Sequence, residues 1–227
     1  MLADSNLLNM TETGKYNSWI FLLSDMGWNA VKFVEKLRIL KTNSVKESVQ
    51  TENGSILIEP GNMPKYRHIL FQGLKRSDID EYLVANYNNT LPKEYAELLQ
   101  AFNGANLCTV KVRVKAANIS FAESLLTIYG LPRTQPFNRP ADIEEPFDVR
   151  IEDLARNEKI PGTWLKCAGY DKMPGFIRID VFMDTGNGKV YACQKNEAEI
   201  LRSWNTLDAC LCDLFDEMSV MPTEYEV

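Results

Sequence analysis

The sequence predicts an α+β protein built on a mainly antiparallel sheet, and three observations predict it. Strand-like segments cluster in the middle of the chain instead of alternating with helices. Helical apolar spacing precedes and follows that cluster. One segment, "TVKVRVK", alternates valine with lysine or arginine, the pattern of a strand with one solvated face.

From the start of the chain, Trp19, Leu23, Met26, Ala30, Val34 and Leu37 recur every three or four residues. That spacing predicts an amphipathic helix over 16–40, broken near Gly27. The polar stretch "KTNSVKESVQTENGS" reads as a loop or linker, "SILIE" as a short strand, and "PGNMPKY" as a punctuated turn. Together these form an expected helical N-terminal extension and linker, residues 1–73. A main domain follows at 74–220, and a tail at 221–227, inside "SVMPTEYEV", is expected to fray.

Within the main domain, "SDIDEYLVANY" predicts a short helix, with Ser77 as its N-cap and Asp80 or Glu81 in the first turn. "LPKEYAELLQAFNGANL" predicts a second. Pro92 suits the first helical position and pushes Leu91 toward an extended backbone. Tyr95, Leu98, Leu99 and Phe102 line one face, and Asn103-Gly104 would end the helix, Gly104 in the left-handed conformation. In "TVKVRVK", Val110, Val112 and Val114 point one way and Lys111, Arg113 and Lys115 the other. "LLTIYGL", "WLKCAGY", "GFIRIDVFM" and "GKVYACQ" are further strands, the last two joined by the hairpin signal "DTGNG". Helical spacing then returns through Ile200, Trp204, Leu207, Leu211, Leu214 and Met218.

Composition narrows the class. With 227 residues, 45% hydrophobic and 25% charged, the chain can bury a core without disulfides or metals. Its first residues carry an acid where a signal peptide is basic, and the longest apolar run, "WIFLL", is far short of a membrane span. A cytoplasmic protein with no membrane contact is expected. Five scattered cysteines without a C-x-x-C pair point to buried reduced thiols and no metal site. The net charge of −6 is uneven. Residues 1–76 carry ten bases and seven acids, 141–160 three and seven, and 197–227 one and eight. An acidic second half argues against direct nucleic-acid binding and suits a basic protein partner.

A catalytic constellation is not legible. His68, the single histidine, falls in "KYRHILFQG", outside the strand-rich region, with no nucleophile elbow anywhere. An ordinary surface or half-buried histidine is expected. "DTGNGK" places its glycines between strands instead of leading into a helix, so it is a turn and not a phosphate loop. As a calcium loop it would put Lys195 where an acid must stand. The acids of "ADIEEPFDVRIEDLARNE" could serve a glycosidase-like reaction only if two converged in a cleft, which the sequence does not show. Trp164 and Trp204 fall in the apolar periodicity and are expected in the core. No cofactor is called for.

Six segments, in order, resemble the SUKH superfamily, and within it the bacterial proteins similar to the yeast cell-wall-synthesis regulator (Smi/Knr-like). They are "LPKEYAELLQAFNGANL", "IYGL", "FDVRIEDL", "PGTWLKCAGY", "RIDVFMDTGNGKVY" and "RSWNTLDACLCDL". The resemblance covers roughly 77–218. It carries over Leu91, Pro92, Tyr95, Asn103, Gly104, Tyr129, Gly130, Gly169, Asp180, Gly188, Lys189, Val190, Tyr191 and Trp204 as structural positions. Ala105 departs from the pattern, where many relatives have a second glycine, and the extension before residue 74 exceeds the core fold. The resemblance implies a curved sheet flanked by helices, and a non-enzymatic immunity protein that binds a cognate toxin, often a nuclease. If that toxin is basic, Glu144, Glu145, Asp148, Glu152 and Asp153 are the expected contacts. An intracellular scaffold or regulator of cell-wall or stress physiology is the alternative, and an enzyme using the acidic segment a third.

Overall fold

The computed structural model describes residues 32–33, 36–37, 47–50, 55–59, 67–86, 91–131, 160–173, 177–194, 198–222 and 224–226. The five acids expected to contact a partner, Glu144, Glu145, Asp148, Glu152 and Asp153, lie outside these residues, as does most of the expected N-terminal helix. Of that helix, residues 32–33 and 36–37 are described and helical.

Among the described residues, nine strands follow one another in chain order across a mostly antiparallel open sheet. They are β1 (Glu47–Gln50), β2 (Ile56–Glu59), β3 (Arg67–Gln72), β4 (Phe102–Val114), β5 (Ile119–Ile128), β6 (Trp164–Met173), β7 (Ile177–Asp184), β8 (Val190–Gln194) and β9 (Ile200–Trp204). Between β3 and β4 come two helices, α1 (Arg76–Asn86) and α2 (Lys93–Ala101). A third, α3 (Leu207–Ser219), follows β9, and a last short strand, β10 (Glu224–Glu226), pairs parallel with β4.

Several local expectations are corrected here. The presumed linker contains β1, which pairs with β2. β3 pairs with β4, so His68 belongs to the sheet and is buried. Trp204 ends strand β9 instead of sitting in the closing helix, because Ile200–Trp204 pairs with β8 and Thr206 then caps α3 by accepting the Ala209 N–H. The tail expected to fray supplies β10. Ser77 lies inside α1, whose first turn hangs on the Lys75 carbonyl.

One main core fills the space between a sheet face and the helices. Ile79 of α1, Tyr95, Leu98 and Leu99 of α2, and Leu211, Leu214 and Met218 of α3 meet Leu107, Leu126, Tyr170, Val181 and Val190 of the strands. Phe33 and Leu37 enter the same cluster, and the Phe33 N–H donates to Asp208 Oδ1. Glu94 on α2 accepts the N–H groups of Leu207 and Asp208, placing a carboxylate at the start of α3, where orphan donors and the helix dipole favour it.

β4 explains the "LPKEYAELLQAFNGANL" segment. The helix ends at Ala101, and Phe102 is already extended. Asn103 and Gly104 are therefore the second and third residues of a strand and not the helix stop expected of them. Against β3 they form a bulge: two residues of β4 oppose Phe71, with Gly104 at φ 85°. The Asn103 side chain donates to the Leu131 carbonyl (2.8 Å) and accepts the Leu131 N–H (2.7 Å). Tyr95 Oη donates to the Tyr129 carbonyl (2.8 Å). Gly130 closes so tightly on this bulge that a Cβ there would sit 2.2 Å from the Asn103 carbonyl oxygen. Leu91 packs against the core beside them and Pro92 takes the N-cap, one position before the first helical residue. Tyr95, Asn103, Gly104, Tyr129 and Gly130 are one latch, tying the end of β5 to the α2–β4 junction.

A second bulge lies four residues on. Leu107 and Cys108 oppose His68 alone, and Cys108 has φ 52°. The left-handed residue shifts the side-chain phase by one, so Ala105 and Leu107 face the core before it and Val110 and Val112 after it. Its N–H, displaced from the ladder, donates to Nδ1 of the buried His68 (3.1 Å).

Candidate functional site

The face of β6–β8 turned away from the main core carries two ion pairs, each with a buried carboxylate. Alternation, shifted by one at a bulge between Lys166 and Ala168, sends Leu165, Cys167, Tyr170, Ile179, Val181, Met183, Val190 and Ala192 to the core. It leaves Trp164, Lys166, Asp171, Arg178, Asp180, Phe182 and Tyr191 on the other side. There Arg178 donates to Asp171 Oδ2 (3.0 Å) and to the Tyr129 hydroxyl (3.0 Å). Lys166 Nζ stands 2.7 Å from Asp180 Oδ1, an ion pair whose angles are not those of a hydrogen bond, and 5.2 Å from the centre of the Tyr129 ring. Gly169 faces Asp180 across the ladder, and a Cβ on it would meet the Arg178 guanidinium and Tyr129 Oη at 3.0 and 3.1 Å.

The two carboxylates differ from ordinary surface acids. Asp171 and Asp180 are both buried. Burial raises Asp171 to about 6, against the pull of the Arg178 guanidinium and with the help of the Glu123 charge. Beside this charged group lies an aromatic one. Trp164 stacks on Tyr191 at 4.6 Å with Phe182 edging it at 6.0 Å, and both Trp164 and Tyr191 stay half exposed. The turn of 184–189 closes the end of β7 and β8: Asp184 accepts from the Gly186 N–H and the Asn187 amide, and Gly188 is at φ 74°.

The reactive candidates have other duties. Burial lowers His68 to about 4, so its imidazole is neutral at physiological pH and serves as the acceptor for Cys108. Cys108 and Cys167 are pushed up to about 12 by burial, and Cys193 to about 11 by burial and by Asp180 nearby. Thiols in that state are poor nucleophiles. Among the described residues, no group of three or more His, Cys, Asp or Glu is placed to hold a metal.

The acidity of α3, taken from sequence as part of an electrostatic face, is largely absorbed within the chain. Asp208 binds the Phe33 N–H, Asp216 pairs with Lys36, and Asp213 and Glu217 both bind Arg202. Trp204 donates from Nε1 to Asp213 (2.7 Å), while the Arg202 guanidinium covers its ring at 4.9 Å. Trp164 and Trp204 each pack against a core cluster and remain partly exposed.

Sequence reasoning assigned Tyr129, Gly169, Asp180 and Tyr191 to scaffolding. The structure brings all four to this face, with Lys166, Asp171 and Arg178, which it did not single out. In "IRIDVFMD" the two-residue spacing of Arg178 and Asp180 puts both on one face, but Lys166 and Asp171 are five apart and join them only through the bulge between Lys166 and Ala168, which the sequence does not show. No helix among the described residues is long and apolar enough to cross a membrane. Comparisons with protein-family models, with curated proteins and with solved structures find no match for this chain.

Proposed function

We propose that this chain is a non-enzymatic binding protein that neutralises a cognate toxin by direct contact, as the resemblance of its motifs to the SUKH immunity proteins implies. The observation that carries the reading is the Trp164–Tyr191 stack beside Arg178 and Lys166 on one sheet face. Trp, Tyr and Arg are the side chains that most often anchor protein interfaces, and here they are held rigid before any partner arrives. The paired carboxylates Asp171 and Asp180 fix the orientation of the two bases. Glu144, Glu145, Asp148, Glu152 and Asp153 supply long-range attraction for a basic toxin such as a nuclease domain.

The test is co-expression. The product of the neighbouring gene is induced in a sensitive host, with and without this chain. Rescue together with a one-to-one complex on a sizing column supports the reading; toxicity that persists, or a harmless neighbour, removes that pairing and favours the scaffold alternative. Within a complex, Trp164→Ala should speed dissociation at least tenfold. Glu144→Lys with Glu145→Lys should instead slow association and flatten its salt dependence. Unchanged kinetics in both variants would exclude both surfaces.

A further inference from the structure

Among the described residues, β10 is the one strand of the sheet that pairs parallel. Among the same residues, β3 pairs with β4 as far as Thr109, and β10 pairs with the same edge from Lys111 to Arg113. Its three residues match the strand beneath them on both faces. Glu224 lies opposite Lys111 and Glu226 opposite Arg113, while Tyr225 lies opposite Val112 and packs on the main core. Glu226 also pairs with Lys115 at 2.9 Å. Acid, aromatic, acid thus meets base, valine, base in register.

We propose that the β4 edge at residues 111–113 is a strand-docking slot for an extended acid–aromatic–acid segment of a protein partner, filled here by the chain's own Glu224–Glu226. Addition of a strand to an open edge draws affinity from the backbone ladder and specificity from alternate side chains. The present occupant fits imperfectly. Among the described residues its ladder spans three positions, and the ion pair between Lys115 and Glu226 is exposed, at 69% and 47%. The Tyr225 hydroxyl is buried without a hydrogen-bond partner. A buried polar group left unpaired weakens the contact that holds it. The chain connection to α3 adds a high local concentration to the contacts that hold β10. A partner segment with phenylalanine at the centre would keep the ring contact and lose the orphan hydroxyl. The slot does not depend on the toxin reading.

The experiment uses the full chain. A fluorescein-labelled peptide copying residues 220–227 is titrated by anisotropy against wild type and against Tyr225→Ala, in which the resident strand has lost its anchor. Saturable binding to Tyr225→Ala, at least about tenfold tighter than to wild type, is expected. The same peptide with phenylalanine replacing the tyrosine should bind about fivefold or more tighter still. Adding Lys111→Glu and Arg113→Glu should reduce binding at least tenfold. If Tyr225→Ala is not folded by circular dichroism, Glu224→Lys with Glu226→Lys empties the slot by charge instead. Absence of saturable binding to the folded variant, or binding that ignores the Lys111 and Arg113 reversals, overturns the proposal. Since no toxin enters the assay, its result is separate from that of the rescue test.

Discussion

The two halves of β4 belong to one strand and are built on opposite principles. From Phe102 to Thr109 it is bulged twice, nearly all buried, and held by side-chain hydrogen bonds: His68 accepts the Cys108 N–H, and Asn103 reaches out to Leu131. From Val110 to Val114 it is regular, with valines inward and Lys111 and Arg113 fully outward. The first half spends its backbone irregularities on holding three elements together. The second keeps a clean alternation and an edge that, among the described residues, the three-residue β10 covers. Rigidity and availability are thus separated along a single strand by the left-handed residue Cys108.

The largest effect should come from breaking the latch of the first half. In Gly130→Ala the new methyl would lie 2.2 Å from a backbone oxygen, which no side-chain rotation relieves. A loss on the order of 4 kcal/mol or more, seen as failure to recover folded protein, is expected. Gly162→Ala, with nothing within 4 Å of its Cβ, is the control and should change stability by less than about 0.5 kcal/mol. Asn103→Leu comes next. It strands both the N–H and the carbonyl of buried Leu131 and should cost about 3 kcal/mol by urea denaturation. A melting temperature within a degree or two of wild type would mean the latch is dispensable.

How much of this was legible depends on the range of the cause. The β4 alternation, the 184–189 turn and α2 are set by neighbouring residues, and the sequence shows them. Asn103-Gly104 is equally visible as a signal, but its meaning is not. An Asn-Gly after an apolar helical stripe reads as a helix stop, and only the contact with Leu131, 28 residues away, makes it a bulge. Ile200 and Trp204 continue the helical period of α3 by coincidence of spacing, and pairing with β8 overrides it. His68 looked isolated because its partner, Cys108, lies 40 residues distant. The charged face escaped notice for a different reason: register decides which of two alternating strands share a side, and register is a tertiary quantity.

The middle-sized effect sets the bulged half of β4 against the charged face, through pH. His68 is held near 4 when folded and takes up a proton near 6.5 when unfolded, so the unfolded state binds more protons between those values. Its contribution is complete above pH 6.5 and is lost as pH falls toward 4, up to about 3 kcal/mol. Asp171 has the opposite sign. Raised by burial to about 6 from an ordinary 3.8, it favours the folded state most below pH 3.8, and that contribution is lost as pH rises through 6, up to about 3 kcal/mol. The two partly cancel between pH 4 and 6.5, so wild-type stability there should be nearly flat. Asp171→Asn should expose a decline with acidification, and His68→Asn a gain. Parallel curves for the two variants would refute the opposed assignment.

The smallest effect probes the second half of β4. Lys115→Ala removes an ion pair whose partners are both largely in water. Such pairs contribute about 0.5 kcal/mol or less, because solvent and salt screen them and two long side chains must be ordered. Chemical denaturation should therefore scarcely distinguish this variant from wild type. The hydrogen-exchange rates of Lys111–Arg113 should rise by a few-fold at low salt, where the pair helps hold β10, and return to wild-type values at 1 M salt. A global loss of stability instead would place this half of β4 on the same footing as the latch, and the division at Cys108 would disappear.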